Sequence, residues 1–170
     1  MSVVSPDSTS ASRLPCRPEE LDDFLSQPTP RVIEVLKRTP GPFIILGAAG
    51  KIGLHLSLML RRTLDLLGRT DRVLAVSRFG TLRDRAAFEQ RGIETHACDL
   101  GEDSGLNALP DAPTVFFLAG VKFGTAASPG LLHTVNVDIP HRVARKFAQS
   151  RIVAFSSGCC LLYTSDAADE

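Results

Sequence analysis

The residues of this chain whose types and spacing suggest chemistry form one glycine-rich turn. The pattern GxxGxxG directly follows a short apolar run and precedes a stretch with helical spacing. Glycine lets the backbone bend sharply and lets a bulky anion approach, while the first amides of a following helix are unpaired and carry a partial positive charge. The pattern therefore predicts a diphosphate-binding site. Its residues are Gly47, Ala49, Gly50, Lys51, Ile52 and Gly53.

The turn has two other interpretations. A phosphate-binding loop of the nucleoside-triphosphatase type is excluded, because that pattern requires glycine at Ile45 and a Ser or Thr ligand for magnesium at Ile52. A helix cap with packing glycines remains open, because a glycine pattern by itself is a weak signal. Lys51 either adds positive charge to the turn or points into water.

The elements on either side of the turn are predicted to be a strand and a helix. Residues 43–46 are apolar without alternation, as expected of a parallel strand covered on both faces. The helix is predicted to end near Gly68. The apolar residues that mark its face are Ile52, Leu56, Met59, Leu60 and Leu67.

A second strand is predicted over residues 72–77, and the residue after it bears on which nucleotide the chain prefers. In nucleotide-binding units an acid after this strand hydrogen-bonds the ribose 2′-hydroxyl and favours NAD. This chain has Ser77 and Arg78 instead. An arginine fork suits a 2′-phosphate, so NADP is preferred to NAD as the cofactor. The alternative is that Arg78 is a solvated surface residue.

The remaining pattern predicts an α/β fold, a doubly wound parallel sheet of strand order 3-2-1-4-5. Two short helices, beginning at Pro18 and near Val32, are expected to cover part of the sheet or, alternatively, to bind a partner. A helix is predicted over residues 81–90, strands over 94–98, 114–118 and 151–155, and one helical turn near 106–109. A long helix is predicted from Pro129 with a kink at Pro140. The residues on its apolar face are Leu132, Val135, Ile139, Val143 and Phe147.

Composition places the chain among ordinary globular proteins, with 170 residues, 44% of them hydrophobic and 22% charged. Neither an apolar run of about 18 residues nor a secretory signal is present, so no membrane span is predicted and the cytoplasm is the expected compartment. Scattered basic residues argue against nucleic-acid binding. The four cysteines lack framework spacing and are predicted to be reduced thiols. Because His133 and His141 lack partners at metal-ligand spacing, no metal site is expected.

Several motifs resemble, in order and spacing, the NAD(P)-dependent epimerase/dehydratase branch of the extended short-chain dehydrogenase/reductases. They are LGAAGKIG at 46–53, CDL at 98–100, FLAG at 117–120, Asn136 and VAFSSG at 153–158. The resemblance covers residues 41–159 and implies a Rossmann-type domain with a nicotinamide dinucleotide cofactor. It also implies oxidoreduction, epimerisation or dehydration of a small sugar, polyol or nucleotide-sugar-like substrate.

The resemblance further implies roles for single residues. Ser157 would hydrogen-bond the reacting oxygen, Ser156 would lie beside it where parallel sheets bind ligands, and Asn136 would brace the active site. Asp99 could instead be a loop residue that caps the next turn, and Asn136 a polar residue on an exposed helix face. The residues expected to contact the adenine ring and the rest of the cofactor are Asp99, Leu100, Leu118, Ala119 and Gly120.

The family's catalytic tyrosine and lysine are not present in this sequence. Tyr163 has Ala167 where the lysine is expected, and an unassisted phenol, with a pKa of about 10, is too weak a base at neutral pH. The chain is therefore expected to bind cofactor weakly and to catalyse nothing. A non-catalytic NAD(P)-binding sensor or scaffold is the alternative. A methyltransferase is a third candidate, weakened by the missing ribose-binding acid.

The two ends of the chain differ from its middle. Residues 1–40 are predicted to be a disordered start and a helical leader, residues 41–159 an incomplete dinucleotide-binding domain, and residues 160–170 a non-native tail. The tail, CLLYTSDAADE, resembles a translated sequencing adaptor; a genuine acidic tail is the alternative. Without it the chain has 19 basic and 16 acidic residues, a net charge of +3 rather than zero. The parent protein would then be longer, and a homodimer is one option for it.

Overall fold

A computed structural model of the chain describes residues 14–15, 17–80, 82–121 and 129–155. Over these residues helices and strands alternate after a two-helix leader. The helices are α1 (Pro18–Leu25), α2 (Pro30–Arg38), α3 (Gly53–Leu66), α4 (Leu82–Glu89), α5 (Asp103–Asn107), α6 (Pro129–His133) and α7 (Ile139–Lys146). The strands are β1 (Phe43–Leu46), β2 (Val73–Ser77), β3 (Glu94–Ala97), β4 (Thr114–Phe117) and β5 (Arg151–Ala154).

The described strands form one five-stranded sheet in the order β3-β2-β1-β4-β5. All pairings are parallel, and Phe43 of β1 is in register with Val73 of β2 and Thr114 of β4. The predicted doubly wound α/β sheet is therefore confirmed, with β1 at its centre. None of the described helices is long and apolar enough to cross a membrane.

Alternate residues of β1 face two separate cores, which is why all four are buried without a polar face. Ile44 and Leu46 belong to a cluster formed with residues of α5 and α7. Phe43 and Ile45 belong to a second cluster formed with α3 and α4. Helices on both faces thus convert an unbroken apolar run into the central strand of the sheet.

The predicted apolar face of α3 is partly wrong. Ile52 lies before the helix and is 55% exposed, so it does not belong to the packed face. The buried positions are Gly53, Ser57, Leu58, Leu60, Thr63 and Leu64. Two of them are hydroxyl residues that bond back to their own helix, Ser57 Oγ to Gly53 O at 2.7 Å and Thr63 Oγ1 to Met59 O at 2.6 Å. Because their polar atoms are satisfied locally, polar residue types are tolerated in the core.

The long helix predicted from Pro129 is divided into three parts. A π-helical turn, Thr134–Asp138, separates α6 from α7, and the Ile139 amide donates to Thr134 O, five residues back. Pro140 has no amide for the carbonyl of Asn136 and its ring crowds that carbonyl, so the preceding turn widens. Leu132, predicted to be on the packed face, is 43% exposed, while Ile139, Val143 and Phe147 are buried as predicted.

The leader packs mainly on α3 instead of covering bare sheet, which corrects the expected role. Leu36 of α2 is buried in the α3 cluster. Asp23 of α1 pairs with Arg62 of α3. A further contact comes from Arg69, whose Nη1 donates to the carbonyls of Leu36 (2.6 Å) and Thr39 (3.0 Å). The two leader helices therefore form an outer layer over α3.

Candidate functional site

The glycine-rich turn lies at the point where the strand order reverses. From β1 the chain crosses to β2 and β3 on one side, then returns to β4 on the other, so the carboxyl ends of β1 and β4 border the crevice where such sheets bind ligands. The amides of Gly47 (2.9 Å) and Ala48 (3.0 Å) both donate to the Val76 carbonyl. The beginning of the turn is thereby fixed to the end of β2.

Each of the three glycines has a different packing environment. Gly47 has φ = 84°, and a Cβ there would lie 2.6 Å from the Ala119 amide nitrogen after β4. A Cβ on Gly53 would lie closest to the Ala48 carbonyl oxygen and 2.5 Å from the carbonyl carbon, a closer clash than at Gly47. Gly50 is exposed, and a Cβ there would meet only Gly47 O, at 3.4 Å. The outer glycines thus permit close backbone packing, while the middle one leaves an open surface.

Several amides of the turn are not used by the protein. Gly50 N donates to Gly47 O at 3.2 Å and Gly53 N to Gly50 O at 3.1 Å. Among the described residues, the amides of Ala49, Lys51 and Ile52 have no protein acceptor, and no side chain caps α3. All three residues are exposed. Three free donors at the positive end of a 14-residue helix suit an anionic ligand.

The end of β2 carries the second group of predicted residues. Ser77 is half-buried and its carbonyl accepts the Cys98 amide at 2.9 Å. Arg78 is exposed, and no carboxylate of the described residues lies within ion-pair distance of it. Its guanidinium is therefore available to a ligand or to water. The next residue, Phe79, is buried, a feature for which the sequence gives no warning.

The residues after β3 behave differently from one another. Asp99 is exposed, and its Oδ1 accepts the Gly101 amide at 2.8 Å, so the loop-capping role is realised. Leu100 is 7% exposed and its side chain packs in the α7 core cluster, which leaves only its backbone for a contact with adenine. Burial, with the neighbouring charges of Asp99 and Glu102, raises the pKa of the Cys98 thiol. Cys98 is 7% exposed and packs in a core cluster.

The loop after β4 is clamped to the π-helical turn by Asn136. Its Nδ2 donates to Val121 O at 2.8 Å and its Oδ1 accepts the Val121 amide at 3.1 Å. Leu118 and Ala119 are half-buried. Gly120 is exposed, and a Cβ on it would lie 3.7 Å from Asn136 Oδ1. The asparagine thus braces the loop that borders the crevice. Val121 was missed because only its backbone takes part.

The structure brings together the two loops that border the crevice, since Gly47 packs against Ala119. Ser156 and Ser157, the predicted active-site serines, lie outside the described residues. Within the described ranges no group of three His, Cys, Asp or Glu side chains is placed to hold a metal ion. The leader also contacts the first turn of α3, which follows the glycine-rich turn, because Asp22 Oδ1 lies 3.0 Å from His55 Nε2. The other carboxylate oxygen of Asp22 lies 3.1 Å from Arg91 Nη2.

Comparison with solved structures finds the same fold. The enzyme WbmF of Bordetella bronchiseptica, solved with NAD+, aligns with a TM-score of 0.53 at 19% identity over 69% of this chain and 36% of that chain. Ribose-5-phosphate isomerase from Brucella melitensis aligns with a TM-score of 0.54 at 17% identity, over 72% and 54%. A Burkholderia multivorans protein assigned as a short-chain alcohol dehydrogenase aligns at 0.51 and 19%, over 76% and 67%.

The chain shares the fold of these proteins. Identities below 20% show the fold alone, and the chain spans about a third of the length of WbmF. No family model and no curated protein matches the sequence. The fold resemblance expected from the motifs is nevertheless found. Of the three proteins named, one is assigned as a short-chain alcohol dehydrogenase and another is an enzyme solved with NAD+.

Proposed function

We propose that the chain is the dinucleotide-binding part of an NAD(P)-dependent oxidoreductase, epimerase or dehydratase. The observation that carries the proposal is the turn at the strand-order reversal, where Gly50 leaves the backbone open and three amides have no described protein acceptor. A Cβ on Gly50 would meet only Gly47 O, so the surface of the turn is open at this position. A diphosphate matches both the space and the charge.

The cofactor proposed is a nicotinamide dinucleotide, with NADP preferred. When bound, its nicotinamide ring supplies hydride chemistry. The chain would contribute the diphosphate site, with Lys51 adding positive charge at the exposed edge of the turn. Arg78 would bind the 2′-phosphate, because its guanidinium has no described carboxylate partner and can form two parallel hydrogen bonds to phosphate. Asp99 would contact the adenine ring, since it is exposed and the hydrogen bond from the Gly101 amide occupies its Oδ1.

The reacting end of the cofactor is proposed to lie beside residues 118–120. Ala119 and Gly120 are small, so a ring can approach the backbone there, and the Asn136 clamp holds the loop in place. In this proposal Ser157 hydrogen-bonds the reacting oxygen of a small sugar, polyol or nucleotide-sugar-like substrate, and Ser156 lies beside the cofactor. The proton acceptor would come from outside this sequence, which contains no Tyr-x-x-x-Lys motif.

Calorimetric titration of NADP+ and NAD+ into the 170-residue chain tests the diphosphate site. Gly50→Asp is expected to abolish binding, because it adds a negative charge to the open surface of the turn at which the diphosphate is proposed to bind. Gly68→Asp is the matched control: it adds the same charge at the other end of α3, in open space, at φ = 64°, which Asp tolerates. Equal loss in both variants, or no binding by the unmodified chain, would contradict the proposal.

The sensor alternative is separated from the enzyme by the gene sequence downstream of codon 159. A Tyr-x-x-x-Lys motif there supports catalysis, and its absence supports a non-catalytic dinucleotide-binding protein. Turnover by the chain itself would contradict the assignment of the proton acceptor to another segment.

A further inference from the structure

The residue that follows Arg78 has an unusual backbone conformation. Phe79 has φ = 45°, in the left-handed region that bulky L-residues avoid. Among the described residues it is the one non-glycine residue with a positive φ. Such a conformation persists only where the surrounding structure imposes it, and such residues cluster at active sites, ligand clamps and switch regions.

What imposes this conformation is the burial of the ring. Phe79 is 8% exposed, and its ring meets that of Phe88 on α4 edge-to-face, with centroids 5.7 Å apart and planes at 78°. Both rings belong to the core cluster beneath β1 and β2. Gly80, on the far side, is exposed and would meet nothing if it carried a Cβ. The loop after β2 is therefore anchored at Phe79, while Gly80 makes no close contact at its Cβ position.

Arg78 lies between two fixed points. On one side Ser77 is held in the sheet by the Cys98 amide, 2.9 Å from its carbonyl. On the other side Phe79 is held in the core, one peptide unit away, and consecutive Cα atoms are separated by about 3.8 Å. The backbone of Arg78 thus has a fixed direction, while its exposed side chain is free of described carboxylate partners. A guanidinium emerging from a rigid backbone loses less entropy when it binds phosphate.

We infer that Phe79 is a positioning residue, which holds Arg78 toward the 2′-phosphate of the dinucleotide and so sets the preference for NADP over NAD. The inference rests on the function proposed above. It concerns discrimination between two cofactors that differ only in one phosphate. Phe79 itself contacts the core and acts through Arg78.

Calorimetric affinities of the full chain for NADP+ and NAD+ test this role. Phe79→Gly removes the ring while permitting the same φ. We expect it to weaken NADP+ binding about tenfold and NAD+ binding less than about twofold, the loss expected for one charge-assisted phosphate contact. Arg78→Ala should give the same pattern. The double variant should bind NADP+ as Arg78→Ala does, because Phe79 then has nothing left to position.

Two further variants keep the result interpretable. Phe79→Leu retains an apolar anchor and should keep part of the NADP+ preference that Phe79→Gly loses. If Phe79→Gly does not fold, Phe79→Leu must show a smaller loss of NADP+ affinity relative to NAD+ affinity. Phe147→Leu removes equivalent volume from the opposite core, where Phe147 is 2% exposed, and should change both affinities alike.

Equal losses for both cofactors in the Phe79 variants, or losses that add to those of Arg78→Ala, would overturn the positioning role alone. If NAD+ and NADP+ bind equally and Arg78→Ala changes nothing, the NADP preference fails and the positioning role fails with it, while the diphosphate site stands. If the unmodified chain binds neither dinucleotide, the proposed function and this inference both fail.

Discussion

Replacing the glycines of the turn by alanine, one at a time, separates packing from ligand binding. Gly47→Ala is expected to destabilise the fold for two reasons. The left-handed φ of 84° costs alanine about 1–2 kcal/mol. The new Cβ would also lie 2.6 Å from the Ala119 amide nitrogen, and such overpacking costs about 1–3 kcal/mol. The sum is about 2–5 kcal/mol, a large part of the free energy of unfolding of a domain, about 5–15 kcal/mol.

Other glycines of the chain provide controls for each contribution. Gly68 has φ = 64° but open space, so Gly68→Ala should show the backbone cost alone, about 1–2 kcal/mol. Gly53 has no left-handed φ, so Gly53→Ala should show the steric cost alone, about 1–3 kcal/mol, from contact with the Ala48 carbonyl. Gly47→Ala should therefore destabilise the chain more than Gly68→Ala, because the two share a left-handed φ and only Gly47 also meets a close backbone neighbour.

Gly50→Ala should behave in the opposite way. Its Cβ would make an ordinary contact with Gly47 O at 3.4 Å and its φ is accessible to alanine, so stability should be unchanged or raised by up to about 1 kcal/mol. Dinucleotide binding should nevertheless fall about tenfold, because the methyl group would narrow the open surface of the turn at which the diphosphate is proposed to bind. The structure thus predicts loss of binding without loss of stability at this position.

The assays are thermal unfolding by circular dichroism without nucleotide, and calorimetric titration with NADP+. About 1 kcal/mol corresponds to roughly 4 °C in Tm for a domain of this size, so Gly47→Ala should lower Tm by about 8–20 °C. If Gly50→Ala destabilises the chain as much as Gly47→Ala, the middle glycine is a packing residue and the argument for an open anion site is refuted. If Gly47→Ala equals Gly68→Ala, the contact with Ala119 has no energetic weight.

Three further predictions concern the surroundings of the site. In urea titrations, Arg69→Ala should lower the free energy of unfolding by about 2–3 kcal/mol, because it removes hydrogen bonds to two leader carbonyls and to Asp71. Arg38→Ala, at an exposed ion pair, is the control and should change the free energy of unfolding by less than about 1 kcal/mol. The hydrogen bond from Arg69 holds the pKa of Asp71 below its usual 3.8. The ionised carboxylate therefore stabilises the fold above its unfolded pKa, and this contribution is lost as pH falls through the lower folded pKa. In Asp71→Asn, the free energy of unfolding measured below about pH 4 should lose this pH dependence. Asn136→Ala should speed hydrogen exchange at the Val121 amide while amides of β1 are unaffected, whereas unchanged exchange would show that the clamp is not needed to hold the loop.

The sequence predicts the centre of the sheet well because its central strand is an unbroken apolar run. Residues 43–46 could be assigned to the centre of the sheet because no residue of the run is polar. The glycine spacing likewise predicts where the turn lies. It does not show what each glycine does, because the neighbours of Gly47 and Gly53 are a backbone amide 72 residues away and a carbonyl five residues away. Residue types carry no record of such contacts.

The failures have physical causes of the same kind. Ser57 and Thr63 are buried in α3 because each hydroxyl bonds to its own helix, which a count of apolar residues overlooks. At Pro140 the missing amide predicts a disturbed helix, but the sequence does not show that the preceding turn widens into a π-helical one. Phe79 gives no warning of a left-handed backbone, because its conformation is imposed by core packing and not by its own preference.

The candidate site is therefore built mostly from main-chain atoms. This explains why the sequence predicts the position of the turn but not the contacts of its glycines. The Val76 carbonyl fixes the turn to β2, the Ala119 amide packs on Gly47, and the Val121 peptide is held by Asn136. A ligand received by backbone amides requires side chains to be absent at a few positions and constrains few others. Identities of 17–19% to solved structures of the same fold are compatible with that requirement. In the proposed function Arg78 is different, because its contribution would depend on its own guanidinium, and a single substitution would then change cofactor preference while leaving the diphosphate site in place.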